Sequence, residues 1–276
     1  MTDDGLVVRP GVPLAEHTPW RTGGTVWAHV VAHHEDAAVQ ALKECRKASW
    51  SCMVLGAGTR TVFLDGDVGG VVLRLGGELA TARVDGTTIV AGAGFPVPAL
   101  VALAEAHGLS GLEEVVCTAG SVGAAVLLDD AWEPLVTVVR TIKRDKVVED
   151  ALVPVRRRKN AVVLGVRLVL TADTPGAVQE RTRAQWRAQR PAPACSWFQA
   201  PRKGDVRDIL QSAALPLVRL RRTAIPEASP ECLVNLGGGT AADLALLHKS
   251  AQDRVKKVRA IDLGRAIKWA GSKPSP

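Results

Sequence analysis

Five short Val-rich runs crowd the stretch between residues 26 and 94: VWAHVV (26–31), CMVLG (52–56), GGVVLRL (69–75), ATARV (80–84) and TIVAGAG (88–94). Runs of this length, rich in β-branched residues and closed by glycine, are strands. A helical pattern covers Asp36 to Lys47 between the first two. Another begins at Pro96, puts Val97, Leu100, Val101 and Ala104 at helical spacing, and stops at His107–Gly108. Longer strands follow in PLVTVVRTIKR (134–144) and AVVLGVRLVL (161–170). Strands that alternate with helices in this way specify a mixed α/β architecture.

From Thr174 the texture changes. An Arg/Gln-rich helical stretch (175–190) leads into RPAPACSWFQAP (190–201), where Ser196 stands beside two of the chain's few aromatics. A short helix is expected over Asp205–Leu215, then the strand-like LVRLRRTAI and ECLVNLG. A long helix starts at Thr240, whose hydroxyl caps it with Asp243 three residues on. Its Leu244, Leu247, Ala251, Val255 and Val258 form one apolar stripe. The tail GSKPSP is expected to be disordered. A boundary near 172 divides the 276 residues, a length that sustains two domains or one domain and a lobe.

No apolar run reaches the roughly 18–20 residues of a spanning helix, and MTDDGLVVRP is acidic where a signal peptide is basic. Both point to a cytoplasmic protein. Five cysteines, scattered and without a C-x-x-C, argue against a disulfide framework and against zinc. His29, His33 and His34, with Glu35 and Asp36, are expected to form a solvated strand end, and no metal is expected. The net charge of +7 concentrates in RRRK (156–159), RLRR (219–222) and Lys249–Arg259. No nucleic-acid-binding motif accompanies these patches, so small phosphates are the better match.

Two loops suit a phosphate. In VLGAGTRTVFLD (54–65) a strand delivers Gly56, Ala57 and Gly58, whose amides can approach an anion, followed by Thr59 and Arg60. In CTAGSVGAAV (117–126), Gly120, Ser121 and Gly123 repeat the pattern. Neither is a Rossmann fingerprint, since the third glycine is missing. Together they favour a dinucleotide or diphosphate. The plainer alternative for each is a glycine turn after a strand.

In order, HTPWRTGG, VLGAGTRTVFLD, GVVLRL, AGAGFPVPALVALAEAHGLSGLE, CTAGSVGAA, ACSWFQAP and ECLVNLGGGTAADLALL resemble the UDP-N-acetylenolpyruvoylglucosamine reductase family over about residues 14–271. The resemblance implies an α/β (α+β) FAD-binding PCMH-type fold of two subdomains, residues 1–76 and 77–172. A C-terminal α/β substrate domain, residues 173–276, completes it. It further implies a cytoplasmic flavoprotein oxidoreductase of peptidoglycan and cell-wall synthesis. There NADPH, through FAD, reduces the enolpyruvyl ether of a UDP-sugar to UDP-N-acetylmuramate. FAD then falls to Gly56, Ala57, Gly58, Thr59, Arg60, Gly120, Ser121 and Gly123. Ser196 matches the serine that protonates the reduced carbon.

Several positions depart from that pattern. Gln199 and Ala200 replace a lysine and an asparagine, Ala266 stands where a glutamate stabilises the enolate, and Ala124 replaces a glycine. Asp129 aligns with an asparagine, which sets two adjacent carboxylates near a phosphate loop. By the resemblance, the catalytic arginine is expected from RRRK, with Arg156 taken among Arg156, Arg157 and Arg158; the plainer alternative is a basic turn between two strands. Glu231 is a candidate for the missing carboxylate. A working reductase and a degenerate, non-catalytic member with a binding or regulatory role both remain open.

Overall fold

The computed structural model describes residues 5–116, 118–158, 160–188, 196–199, 204–216 and 218–271. Cys117, Lys159, Cys195, Ala200 and all of the tail but Gly271 lie outside them. The chain divides into two units, the first made of Met1–Pro10, Ala28–Ala57 and Gly70–Pro191, the second of Gly11–Trp27, Gly58–Gly69 and Ala192–Pro276.

The first unit holds two sheets. One has four strands in the order Leu6–Pro13, Thr25–Ala32, Val71–Leu75, Cys52–Val54. Thr25–Ala32 and Cys52–Val54 both run parallel to Val71–Leu75. Helix α1 (Glu35–Lys47) crosses between the first two of these parallel strands in sequence, capped by His34 Nδ1, which accepts from the Ala37 amide at 3.2 Å. Its buried face is small, with Ala37, Ala38, Ala41 and Cys45, so the helix packs closely on Val71 and Leu73.

The second sheet is antiparallel, in the order Lys146–Asp150, Val136–Lys143, Val163–Val169, Thr88–Gly92, Ala82–Asp85. Its first two strands join through Arg144 and Asp145, with φ of 50° and 61°. Positive φ at both central residues is the hairpin turn that matches strand twist. One face of this sheet carries the largest core, built with α2 (Val97–Ala106), α3 (Val122–Leu128) and α4 (Leu152–Arg156) around Leu100, Val126, Trp132 and Val155. Helix α5 (Pro175–Ala188) packs on α2 and on residues 113–115, held by Arg181 on Glu113 and Asp173. Residue 172, the expected boundary, therefore falls inside this unit.

The second unit contains α6 (Val206–Ser212) and α7 (Ala241–Arg259). The strand-like segments around them shrink to the pairs Arg219–Leu220, Thr223–Ala224 and Val234–Asn235, with Lys268–Ala270 parallel to Thr61–Phe63. The expected capping box forms: Thr240 Oγ1 accepts from Asp243 N and Asp243 from Thr240 N. The stripe is corrected at its end. Leu244, Leu247, Ala251 and Val255 are buried, but Val258 is 53% exposed, because the last turn runs past the core into a left-handed cap at Ala260.

Candidate functional site

Within the first unit, the two phosphate loops meet. A Cβ on Gly56 would land on the Ser121 hydroxyl, so glycine is required for that approach. Ser121 is buried and precedes α3, whose first two amides, Val122 N and Gly123 N, are taken by Phe95 O and Ala93 O at 2.9 Å each. Arg74, missed at the sequence level, donates from Nη2 to the Gly56 carbonyl at 2.8 Å. Burial lowers its pKa from the usual guanidinium value. Its signal was present as a lone cation inside the apolar GGVVLRL run.

The substitutions around these loops prove harmless locally. Ala124 lies in α3 with its methyl exposed and outside the left-handed region, so it neither crowds nor strains the loop. Asp129 caps the next turn by accepting from Ala131 N at 3.0 Å. Arg156 neutralises Asp130 at 2.8 Å and also donates to the carbonyls of Val126 and Asp129. The guanidinium of Arg156 is thus spent closing the C-terminal end of α3. Arg158 is paired with Asp150 at 2.8 Å. Arg157 alone of the three is exposed and has no partner among the described residues.

Gly58, Thr59 and Arg60 fall in the second unit. Gly58, at φ 72°, packs on Thr18 and takes the Trp20 indole N–H on its carbonyl at 3.1 Å. Arg60 is exposed, and its carbonyl accepts from Lys268 N. The strand pair Thr61–Phe63 and Lys268–Ala270 starts there, which gives this part of the loop a structural task.

Ser196 stands in a short bridge to Cys232, and its hydroxyl donates to the Phe198 carbonyl at 3.0 Å. The turn is stitched on both sides. Trp197 N donates to Glu231 O at 3.0 Å, Gln199 N to Gly264 O at 2.9 Å, and Ala266 N to Trp197 O at 3.0 Å. The vacated glutamate position, Ala266, therefore does lie beside the serine turn. Glu231 is occupied elsewhere: it pairs with Arg207 at 2.8 and 3.2 Å and is 4% exposed.

Beneath the turn sits an aromatic cluster. Trp197 meets Trp20 edge-on at 4.9 Å and Trp269 at 5.8 Å, and Phe198 stacks on His248 at 4.9 Å. Asn235 ties the strand behind it to the N-terminal segment, donating to Trp20 O at 3.1 Å and Gly239 O at 2.8 Å. Asp65 takes the first two amides of α7, Ala241 N at 2.7 Å and Ala242 N at 3.1 Å.

Burial pushes the His248 imidazole down to about 4, with Arg265 acting in the same sense. Above pH 6.5 the ring is neutral folded or unfolded. Below it the unfolded chain takes the proton first, so stability is lost as the pH falls from 6.5 towards 4. The expected loss is up to about 3 kcal/mol. Urea unfolding at pH 7 and 4.5 checks this, and a His248→Leu variant is expected to lose that part of the pH dependence.

Two earlier expectations change here. His29 is 4% exposed rather than solvated, since its strand is interior to the four-stranded sheet, and no metal-binding group occurs among the described residues. Cys45 and Cys52 are free thiols, but Cys232 is disulfide-bonded, which an odd and scattered cysteine count does not predict. No described helix is long and apolar enough to cross a membrane.

Comparison with known proteins adds to this geometry. Residues 27–129 match the FAD binding domain family. The chain is 27% identical to the UDP-N-acetylenolpyruvoylglucosamine reductase of Rubrobacter xylanophilus, over 94% of both chains. It is 29% identical to that of Anaeromyxobacter sp. (strain K), over 94% of this chain and 84% of the other. The crystal structure of the Thermus caldophilus enzyme of that name superposes with a TM-score of 0.84 at 22% identity, covering 96% of this chain and 99% of that one. The fold is accordingly the α/β FAD-binding PCMH type with a C-terminal α/β domain. With its motifs in colinear order, the protein is similar along nearly its whole length to UDP-N-acetylenolpyruvoylglucosamine reductases, at 27% and 29% identity to the two named here.

Proposed function

We propose that the protein is a cytoplasmic FAD- and NADPH-dependent reductase that converts the enolpyruvyl ether of a UDP-amino sugar to the UDP-N-acetylmuramate product of peptidoglycan synthesis. The observation that carries this reading is the Ser196 turn, with its hydroxyl half-buried, oriented onto Phe198 O and stitched in place on both sides. A donor held so firmly can protonate a carbon presented within hydrogen-bond reach.

FAD fits the first unit's loops. Gly56 and Ala57 offer amides, Ser121 a hydroxyl at a helix start, and Arg74 a cation beside them, which together suit a pyrophosphate. The chemistry that FAD supplies when bound is the relay of an electron pair from NADPH to the enolpyruvyl double bond. Gly120 and Gly123 keep the second loop tight enough for that approach, while Gly58, Thr59 and Arg60 extend the first. Asp129 and Asp130 do not repel the anion in this arrangement, because a capping bond and Arg156 engage them.

Charge developing on the substrate carboxylate needs a fixed cation. The resemblance draws that cation from Arg156, Arg157 or Arg158, of which Arg156 is engaged by Asp130 and Arg158 by Asp150. Ser196 gives up its bond to Phe198 O and delivers its proton to the substrate carbon.

The absorbance spectrum of the purified protein tests the reading first. A flavin spectrum, and NADPH oxidation that yields product from the UDP-sugar enolpyruvyl ether, are the expected results. A colourless protein that FAD cannot reconstitute would leave only the non-catalytic alternative. Arg74→Met is expected to weaken FAD retention about 10- to 100-fold, the usual worth of a hydrogen bond to a charged group. Equilibrium dialysis against FAD measures it.

A further inference from the structure

We infer that His248 is a positioning residue for Ser196: its imidazole, gripping the two residues that follow the serine, sets the direction of the serine hydroxyl. The inference rests on the reading of Ser196 as the proton donor.

His248 stands in the middle of α7 and is 5% exposed, where the stripe of the helix is otherwise Leu, Ala and Val. It packs face to face on Phe198, with centroids 4.9 Å apart and planes inclined by 13°. The Trp197 ring lies 5.9 Å away. The Trp197 backbone also hydrogen-bonds the imidazole in the sense that favours protonation, so the acceptor is the Trp197 carbonyl. Nε2 is buried without a partner, which leaves Nδ1 as the donor. That same carbonyl accepts from Ala266 N at 3.0 Å.

The consequence is geometric. Ser196 Oγ is oriented by the Phe198 carbonyl, so whatever fixes the Trp197–Phe198 peptide segment fixes the hydroxyl. His248 holds this segment at two points: the Trp197 carbonyl by a hydrogen bond and the Phe198 ring by stacking. A buried polar nitrogen left unpaired is costly. A leucine or isoleucine would fill the same space at no such cost, and what neither could provide is the donor to Trp197 O. The neutral ring that burial enforces suits this task, since it keeps Nδ1–H as donor without placing a charge in the core.

Two experiments test it together. The first compares wild type with His248→Phe, which keeps the stacked ring and loses the donor, and His248→Asn, which restores a donor near the Nδ1 position. In His248→Phe we expect kcat for product formation to fall about 10- to 100-fold, as for misplaced catalytic groups. KM and the rate of flavin reduction by NADPH stay unchanged, and His248→Asn recovers part of the loss. Unaltered kcat in His248→Phe overturns the inference.

The second experiment needs no variant and no turnover. Histidine ¹⁵N NMR of the wild-type protein is expected to show His248 neutral at pH 7, with the proton on Nδ1. A proton on Nε2 overturns the proposal even if the variants fail to fold. Absence of turnover in wild type is a separate outcome: it overturns the reductase reading and, with it, the role of His248.

Discussion

Ser196→Ala is expected to stop product formation while sparing the reduction of flavin by NADPH. The two steps separate because the hydroxyl is needed only when the substrate carbon takes a proton. Removing one acid–base group costs about 10²–10⁴-fold, and that is the fall expected in the rate of product formation. The fold should hardly notice. The hydroxyl makes one bond, to Phe198 O at 3.0 Å, whose loss is worth about 1 kcal/mol. Anaerobic bleaching of the flavin by NADPH measures the first step, and chromatography of the UDP-sugars measures the second. Loss of both steps would contradict the assigned role, as would product formation at the wild-type rate.

Elements with a strong local period were legible in the residues, and elements specified by tertiary contact were not. Helices α1, α2 and α7 announce themselves through apolar spacing and caps. The strand-like LVRLRRTAI and ECLVNLG, by contrast, contribute only two-residue pairs. Their apolar residues serve the aromatic core rather than a ladder, and residue type cannot separate those uses. Discontinuous units were equally invisible. The segment 58–69 belongs with the C-terminal third because Thr61–Phe63 pairs with Lys268–Ala270, some 200 residues away. Nothing local encodes that partnership.

The site was read in part for the same reason. Ser196 is proposed from the motif around it. Its supports come from distant stretches: Glu231 O, Gly264 O, Ala266 N and His248. The RRRK run looked like one basic feature and resolves into three different uses. Arg156 cancels a carboxylate, Arg158 pairs with Asp150, and Arg157 faces solvent. Asp130, which stood out as a threat to a bound phosphate, and Arg156, which stood out as catalytic, turn out to answer each other. Such compensation between residues 26 positions apart is a property of the fold.

The largest stability effect is expected at Glu231, a residue the sequence alone offers as the missing carboxylate beside Ser196. Its side chain is 5% exposed and meets Arg207, itself 18% exposed, through two hydrogen bonds of 2.8 and 3.2 Å. Glu231→Gln keeps the size but leaves a buried guanidinium facing an amide, with one of its two donors meeting an NH₂ group. Breaking a buried pair from one side costs about 3–5 kcal/mol. Because Arg207 keeps some contact with water, the lower end of that range, about 3 kcal/mol, is expected in urea unfolding. Removing both charges with Arg207→Met and Glu231→Leu is expected to recover most of that loss, since a well-packed apolar pair carries no desolvation penalty. Turnover at low temperature should stay close to wild type in the single variant, because the contact with the serine turn is made by the Glu231 backbone carbonyl to Trp197 N. A catalytic carboxylate predicts the reverse: Glu231→Gln would then keep its stability and lose turnover, and the vacancy at Ala266 would have been filled from the neighbouring strand after all.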